Sequence, residues 1–336
     1  MGIDEHVAMA AGADTTGARV PDFFIVGSPK TGTTSLYEML REHPQIYMPE
    51  VKEPLFLGSD LDPDPKFARE RREATLPHTL DGYLALFAGA APEQRVGEAS
   101  TFYLWSRTAA ERIAELQPQA RIIAILRDPA SFLRSLHLMF LGWGVESESD
   151  LRKAISLDDS RREGRNLPPR SHRPQLLQYS DHVRYVEQLR RYHAHFDPDQ
   201  ILVLIYEDFR HDNEATVRRV LRFLDADDRS PIRVVNTNVT TRAQRSLRAR
   251  YFLESGIRGR SPLARSARKT LRALTTKRLR QRSVELYRRH VLTAAAPPPQ
   301  ENVTIELRRR FKPEVEALSE HLGRDLVSFW GYDEID

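Results

Sequence analysis

The stretch FFIVGSPKTGTTSLYEML, residues 23–40, combines three structural patterns. The run FFIV is continuously apolar and has the length of a strand, while the residues from Thr33 onward place apolar side chains at helical spacing. Between them, the loop GSPKTGTT contains two glycines and a lysine. A strand that passes through such a loop into a helix predicts one βα unit of an α/β fold.

The loop at residues 27–34 has the composition of an anion site. Gly27 and Gly32 permit close backbone approach, and Lys30 adds a positive charge beside the start of a helix. Amide groups at a helix N-terminus attract anions, so the loop predicts phosphate binding. An ordinary βα turn with a threonine N-cap is the structural alternative. The Walker pattern G-x-x-x-x-G-K-[ST] is absent because the lysine precedes the second glycine, which argues against a plain nucleotide triphosphatase.

Two further apolar runs continue the α/β pattern. RIIAIL at 121–126 and ILVLIY at 201–206 have strand length, and helical patterns follow them at 130–141 and 213–224. Continuous apolarity is typical of strands that are covered on both faces. We therefore expect a three-layer α/β/α protein with a central parallel sheet and a P-loop-like first turn. Its domain organisation is a flexible tail at 1–20 and one domain at 21–336.

The composition limits the possible classes of function. The 336 residues contain no cysteine, which excludes disulfides, thiolate metal sites and a cysteine nucleophile, and favours a reducing compartment. The first residues carry acids where a signal peptide needs basic residues. No run reaches the roughly 18 apolar residues of a membrane span. We expect a soluble, cytoplasmic protein.

Positive charge is concentrated in one segment. Residues 242–290 contain sixteen Arg and Lys against two acids, although the whole chain has a formal net charge of only +4. A solvated helical face is the simplest interpretation, and peripheral contact with a membrane surface is the next. Nucleic acid is not expected as a partner, because no known binding module or interleaved aromatic pattern is present. We interpret 242–296 as a basic helical insertion or closing region.

The motif PKTGTT at 29–34 resembles the 5′-phosphosulfate loop of sulfotransferases that use 3′-phosphoadenosine 5′-phosphosulfate (PAPS), which reads P-K-[ST]-G-T-[ST]. The resemblance implies that Lys30 contacts the phosphosulfate bridge. It also implies a set of 5′-phosphate contacts, namely Thr31, Gly32, Thr33 and Thr34.

A second motif, LRDPASFLRS, follows the strand pattern RIIAI. The same sulfotransferases carry R-D-P after a strand and a serine eight positions beyond the arginine, a spacing that Arg127 and Ser135 match. The resemblance implies that these two side chains bind the 3′-phosphate, for which a planar guanidinium is well suited. Asp128 and Pro129 have a structural role at the same time, as N-cap and first residue of the next helix.

A catalytic base is expected in MPEVKEPLFL at 48–57, which resembles the K-E-P segment of the carbohydrate-type and bacterial branch. The resemblance implies that Glu53 is the base. Leu55 departs from the pattern, since an aromatic residue or histidine is frequent there, and this affects the acceptor pocket more than the base. A salt-bridged surface carboxylate is the alternative for Glu53, and His78 and His137 are the alternative bases.

Weaker resemblances add further candidates. VGEASTFYL at 96–104 has Ala99 where heparan-type enzymes often place a substrate-contacting lysine, so that contact does not carry over. The other polar positions of this segment are candidate pocket residues, with packing as the alternative: Glu98, Ser100 and Tyr103. NVTTRAQRS at 238–246 resembles the loop that closes over the nucleotide, which makes Arg242 a candidate second ligand of the 3′-phosphate, with Arg245 as its substitute.

The resemblance covers about 21–330 and implies transfer of a sulfuryl group from PAPS to a hydroxyl or amine of a carbohydrate, glycolipid or secondary metabolite. In-line transfer needs a base on the acceptor and a cation at the leaving oxygen, roles that fall to Glu53 and Lys30. PAP (3′,5′-ADP) is the product, and no metal is expected. The alternatives are a P-loop-like ATP-dependent kinase and a non-catalytic basic docking protein. The sequence does not indicate an oligomeric state.

Overall fold

The computed structural model describes residues 19–62, 76–169, 171–234 and 300–335, and the backbone of two short strands at 242–244 and 293–295. A parallel sheet of five strands lies at the centre, in the order β2-β3-β1-β4-β5. Its strands are β1 (Phe23–Gly27), β2 (Ile46–Tyr47), β3 (Arg95–Ala99), β4 (Arg121–Leu126) and β5 (Ile201–Ile205). The short strands β6 (Arg242–Gln244) and β7 (Thr293–Ala295) form a separate antiparallel pair.

Helices connect these strands and follow the last of them. In chain order, those of the described residues are α1 (Thr33–Arg41), α2 (Leu80–Leu84), α3 (Ala109–Leu116), α4 (Pro129–Trp143), α5 (Leu151–Ser156), α6 (Asp158–Arg162), α7 (Tyr185–His193), α8 (Tyr206–His211), α9 (Asn213–Phe223), α10 (Glu301–Leu322) and α11 (Leu326–Phe329). No helix in these described ranges combines the length and apolar character that a transmembrane span requires.

Two apolar cores cover the two faces of the sheet. Phe23 and Ile25 of β1 pack with α1 and α9 on one face. Phe24 and Val26 point to the opposite face and pack with a larger core that includes side chains of α4, α7 and α10. Alternate residues of a strand point to opposite faces of the sheet. Because a core covers each face, the side chains of Phe23, Phe24, Ile25 and Val26 are all fully buried. The expected three-layer α/β/α architecture with a parallel sheet is confirmed.

The strands predicted at 23–26, 121–126 and 201–206, and the helices predicted from Thr33 and at 130–141 and 213–224, are present within one or two residues. The tail predicted at 1–20 and the basic helical region predicted at 242–296 lie outside the described residues, apart from residues 19 and 20 and the backbone of β6 and β7. The helix predicted at 130–141 extends over Pro129–Trp143, and the strand predicted at 201–206 ends at Ile205, where α8 begins. The pattern did not identify β2 or β3. β3 reads RVGEA and contains a glycine and a glutamate, which are both uncommon in strands.

Gly97 explains why β3 lacks the expected apolar pattern. A Cβ atom at this position would lie 2.2 Å from the ring of Phe23 and 2.4 Å from the sulfur of Met48. The side chains of the neighbouring strand and of the segment after β2 therefore occupy the space that a residue other than glycine would need. Packing, and not strand propensity, selects glycine here.

We predict that Gly97→Ala lowers the free energy of unfolding by roughly 1–3 kcal/mol, because the added methyl group overpacks the core. Gly142→Ala is the matched control, since a Cβ at this position meets no atom within 4 Å. The free energy of unfolding of this variant should differ from that of the wild type by less than about 1 kcal/mol. Urea unfolding of both variants measures the difference. Equal stabilities would contradict the packing explanation.

Candidate active site

The loop between β1 and α1 is the first part of the site. Lys30 and Gly32 adopt left-handed backbone conformations, with φ of 66° and 81°. A Cβ on Gly32 would lie 2.9 Å from the ring of Phe209, so this position requires glycine for both conformation and space. The hydroxyl of buried Thr31 donates to the carbonyl oxygen of Ser28 at 2.7 Å and stabilises the loop from within.

The N-terminus of α1 points its first-turn amides towards the loop without a side chain that caps them. Gly32 is the N-cap residue, and the first turn has no acidic residue. A helix terminus of this kind favours an anion, because its amide donors lack partners within the helix and the helix dipole is positive there.

Arg127 forms the second part of the site, at the carboxyl end of β4. One of its terminal nitrogens donates to the carbonyl oxygen of Lys30 at 3.1 Å, and its guanidinium lies over the ring of Tyr206 at 4.5 Å from the centroid. Its Nε atom is buried and has no hydrogen-bond partner. These contacts hold Arg127 in place while its buried Nε–H donor stays unused.

Asp128 and Pro129 start helix α4 as the sequence predicted. The Asp128 carboxylate accepts hydrogen bonds from the amides of Ala130 and Ser131, and Pro129 is the first helical residue. The hydroxyl of Tyr332 donates to the same carboxylate at 2.7 Å. Helix α4 therefore begins at a fixed point directly after Arg127.

Both parts open into one cavity of about 650 Å³, a volume typical of small-molecule sites. Predicted site residues that line it are Lys30, Gly32, Thr33, Thr34, Glu53, Arg127 and Ser135. Thr31 does not line it, since its side chain is buried in the loop. Arg242 lies on β6, and the side chains of β6 are outside the described residues. The backbone of β6 runs close to α4.

The cavity has a strongly positive lining. Burial, followed by the nearby charge of Arg127, lowers the pKa of the Lys30 ammonium, and the carboxylate of Glu53 opposes this shift. Burial and Arg127 also lower the pKa of Arg134. Like charges held this close together are stabilised by an anion that binds between them. Such a lining suits a ligand with several negative charges.

Glu53 lies at the edge of this positive lining. Its Oε1 atom accepts hydrogen bonds from Lys52 Nζ at 2.8 Å and from the Thr101 hydroxyl at 3.3 Å. Lys52 Nζ also donates to the hydroxyl of Thr34 at 3.3 Å, which links Glu53 to the first loop. About one third of the Glu53 side chain is exposed. The residue is both ion-paired and open to the cavity.

Neither alternative histidine lines the cavity. His137 is buried, with one ring nitrogen 2.9 Å from the Tyr179 hydroxyl and the other 3.3 Å from the carbonyl oxygen of Ser149. Burial lowers its pKa. His78 is exposed on the surface. Among the candidate bases, Glu53 alone borders the cavity in the described part of the chain.

Three further candidates from the sequence lie outside the cavity lining. Glu98, Ser100 and Tyr103 are buried and do not line the cavity, which agrees with the packing alternative. The hydroxyls of Ser100 and Tyr103 instead accept hydrogen bonds from backbone amides of the segment that follows Glu53. Ser100 and Tyr103 therefore hold the backbone of the segment that follows Glu53.

Several residues that line the cavity were not predicted as site residues from the sequence. Six of them are Arg134, Met139, Trp143, Tyr206, Arg210 and Asn213. Met139 and Trp143 follow Ser135 at intervals of four residues, so helical periodicity was an available signal for these two. Arg134 is only the sequence neighbour of Ser135. The other three come from α8 and the start of α9, which no local motif connects to this cavity.

Comparison with known proteins identifies the family. Residues 21–230 match the profile described as the sulfotransferase family. The chain belongs to the sulfotransferase family. It is 28% identical over 268 residues to human carbohydrate sulfotransferase 15, an alignment that covers 66% of this chain and 46% of that protein. It is also 28% identical over 214 residues to the human bifunctional heparan sulfate N-deacetylase/N-sulfotransferase 3, covering 61% and 22% of the two chains.

The fold matches a solved structure of the same family. The sulfotransferase from Alicyclobacillus acidocaldarius superposes with a TM-score of 0.63 at 23% identity, and the match covers 92% of this chain and 98% of that one. The chain spans less than half the length of the curated carbohydrate sulfotransferases that it matches.

We predict that Arg127→Gln raises the pKa of Lys30 towards its usual value, because a nearby positive charge is removed. The pH dependence of Lys30 labelling by fluorodinitrobenzene, followed by peptide mass spectrometry, measures this pKa. Arg210→Gln is the control, since Arg210 lines the cavity but does not contribute to the shift. An unchanged Lys30 pKa in Arg127→Gln would contradict the described electrostatics.

Proposed function

We propose that this protein transfers a sulfuryl group from PAPS to a hydroxyl or amine of an acceptor. The observation that carries the proposal is the shared cavity, in which the Lys30 loop and the Arg127–Ser135 pair face the same space. A nucleotide with anionic groups at both its 5′ and 3′ ends matches two separate anion sites. An ATP-dependent kinase would require a strong site for only one of these ends.

The donor would lie across both loops. At the 5′ end, the α1 amides and the Thr33 and Thr34 hydroxyls are placed to bind phosphate, and Lys30 would contact the bridging oxygen. At the 3′ end, Arg127 has an unused buried Nε donor, and Ser135 lies on the cavity side of α4. Arg134 adds a positive charge beside Ser135. Arg242 stays a predicted further ligand of the 3′-phosphate.

The proposed reaction is an in-line displacement at sulfur. The acceptor oxygen or nitrogen forms a bond to sulfur, and the bond between sulfur and the bridging phosphate oxygen breaks. Glu53 accepts the proton that the acceptor loses, and Lys30 stabilises the negative charge that develops on the leaving PAP. Lys52 and Thr101 orient the Glu53 carboxylate.

The acceptor that we propose is a carbohydrate, free or as a glycolipid, with a secondary metabolite as the other candidate class. Support comes from the curated relatives, whose names include carbohydrate and heparan sulfate sulfotransferases. Trp143 also supports a carbohydrate acceptor, because it lines the cavity and 47% of its surface is exposed. An exposed indole provides an apolar face against which a sugar ring can pack. Cytoplasmic location and membrane contact through 242–290 stay predictions from sequence.

Nucleotide binding tests the donor assignment. We expect calorimetry to give at least tenfold tighter binding of PAP than of 5′-AMP or ATP with magnesium, because only PAP occupies both anion sites. Ser135→Ala should reduce this preference while leaving the affinity for 5′-AMP unchanged. Equal affinities of the wild-type protein for the three nucleotides would refute the sulfotransferase proposal and favour the kinase alternative.

Replacement of the proposed base tests the chemistry. Glu53→Gln should lower kcat by about 10²–10⁴-fold, the usual contribution of general base catalysis, and should leave the Kd for PAP within threefold of wild type. PAP release from PAPS is measured with desulfated heparan and chondroitin oligosaccharides and with p-nitrophenyl glycosides as acceptors. Glu50→Gln is the control, since Glu50 is exposed and close in sequence but does not line the cavity. Wild-type turnover by Glu53→Gln would exclude Glu53 as the base.

A further inference from the structure

The segment that carries Glu53 is anchored at every second residue. The amide of Glu53 donates to the carbonyl oxygen of Ala99 at 3.0 Å, and the amide of Leu55 donates to the Ser100 hydroxyl at 3.1 Å. The amide of Leu57 donates to the Tyr103 hydroxyl at 3.0 Å. All three partners belong to the end of β3 and the turn that follows it. This part of the chain thus sets the position of the segment.

The same segment has an unfavourable backbone conformation. Glu53 and Leu55 have φ values of 58° and 54°, in the left-handed region that residues other than glycine seldom adopt. Such conformations persist only where the surrounding structure imposes them. The hydrogen bonds to Ala99, Ser100 and Tyr103 are the contacts that impose them here.

Glu98 lies beneath these anchors and is fully buried. Its Oε2 atom accepts a hydrogen bond from the Tyr83 hydroxyl at 3.1 Å, and its Oε1 atom is buried without a hydrogen-bond partner. The ring of Tyr83 stacks on Phe56, between the two left-handed residues and Leu57, with 4.7 Å between the ring centroids. Glu98 therefore contacts the underside of the Glu53 segment through Tyr83.

The surroundings of Glu98 favour its neutral form. Burial raises its pKa to about 7, while hydrogen bonding with Ser100, Tyr103 and Tyr83 acts in the opposite direction. The nearby carboxylate of Glu53 raises the pKa further. The other titratable groups of the described residues that interact with Glu98 are tyrosines, namely Tyr83, Tyr103 and Tyr192. In this part of the chain, no cation is among the groups that shift the pKa of Glu98.

We propose that Glu98 is a positioning residue for Glu53. Glu98 holds Tyr83 in the position from which its ring packs on Phe56 of the segment 53–57. In its neutral form it does so without a second buried negative charge near Glu53. Its ionisation places a second negative charge beneath Glu53, without a counter-ion, and loosens the segment. The catalytic part of this inference rests on the proposed role of Glu53, whereas the structural part does not.

The direction of the pH effect follows from linkage. The pKa of Glu98 in the folded protein lies above its value in the unfolded chain, so its stabilising contribution is complete at acidic pH and is lost as pH rises through about 7. The segment 53–57 should therefore be better ordered at pH 6 than at pH 8.5. A glutamine at position 98 has the shape of the neutral acid and cannot ionise.

Amide hydrogen exchange of the segment 53–57 tests the structural part without any acceptor. After correction for the intrinsic rate, wild-type exchange should be at least fivefold faster at pH 8.5 than at pH 6. Glu98→Gln should abolish this pH dependence and stay protected at both values. Tyr83→Phe removes the hydrogen bond but keeps the ring on Phe56, and it should raise exchange at pH 6. Glu111→Gln, on the exposed surface of α3, should behave as wild type.

Turnover and binding test the catalytic part. Glu98→Gln should keep kcat within about threefold of wild type at pH 6 and should move the alkaline limb of the kcat profile to higher pH. Tyr83→Phe should lower kcat by about tenfold at unchanged Kd for PAP. Exchange and kcat profiles of Glu98→Gln that equal the wild-type profiles would overturn the proposal. Failure of PAP binding would refute the proposed function but leave the exchange result interpretable.

Discussion

The hydrogen bond from the Arg127 guanidinium to the carbonyl oxygen of Lys30 joins the two loops on which this site depends. It is possible because β1 and β4 are adjacent and parallel in the sheet, so that their carboxyl ends meet at one edge. Residues almost one hundred positions apart thereby share one cavity. The left-handed conformation of Lys30 presents its carbonyl to Arg127, and Tyr206 supports the guanidinium from its face.

Local patterns predicted β1, α1, β4, α4 and β5, because continuous apolar runs and helical periodicity are local properties of sequence. They did not predict β3, because its residues are determined by contacts outside the strand. Gly97 packs against the ring of Phe23, and Glu98 accepts a hydrogen bond from the hydroxyl of Tyr83. Lys30, Glu53, Arg127 and Ser135 were found through motifs. Arg210 and Asn213 were not, because only the packing of α8 and α9 against the first loop brings them there.

The site has two levels, and they differ in how directly sequence reveals them. The cavity surface carries charged and hydroxyl side chains, whose chemistry is recognisable from residue type, beside apolar ones such as Met139 and Trp143. The buried level consists of Glu98, Ser100 and Tyr103. The hydroxyls of Ser100 and Tyr103 accept hydrogen bonds from backbone amides of the Glu53 segment, and Glu98 accepts one from the Tyr83 hydroxyl. A polar residue next to a functional motif can either line the cavity or hold the backbone that carries the lining residues. Its burial in the folded protein shows which role it has.

One doubly phosphorylated nucleotide should span both loops, and a crystal structure of the protein with bound PAP would show whether it does. We expect the 5′-phosphate at the N-terminal amides of α1 near Lys30, with the 3′-phosphate within hydrogen-bonding distance of Arg127 and Ser135. A nucleotide whose 3′-phosphate lies away from both residues, or which binds outside this cavity, would contradict it.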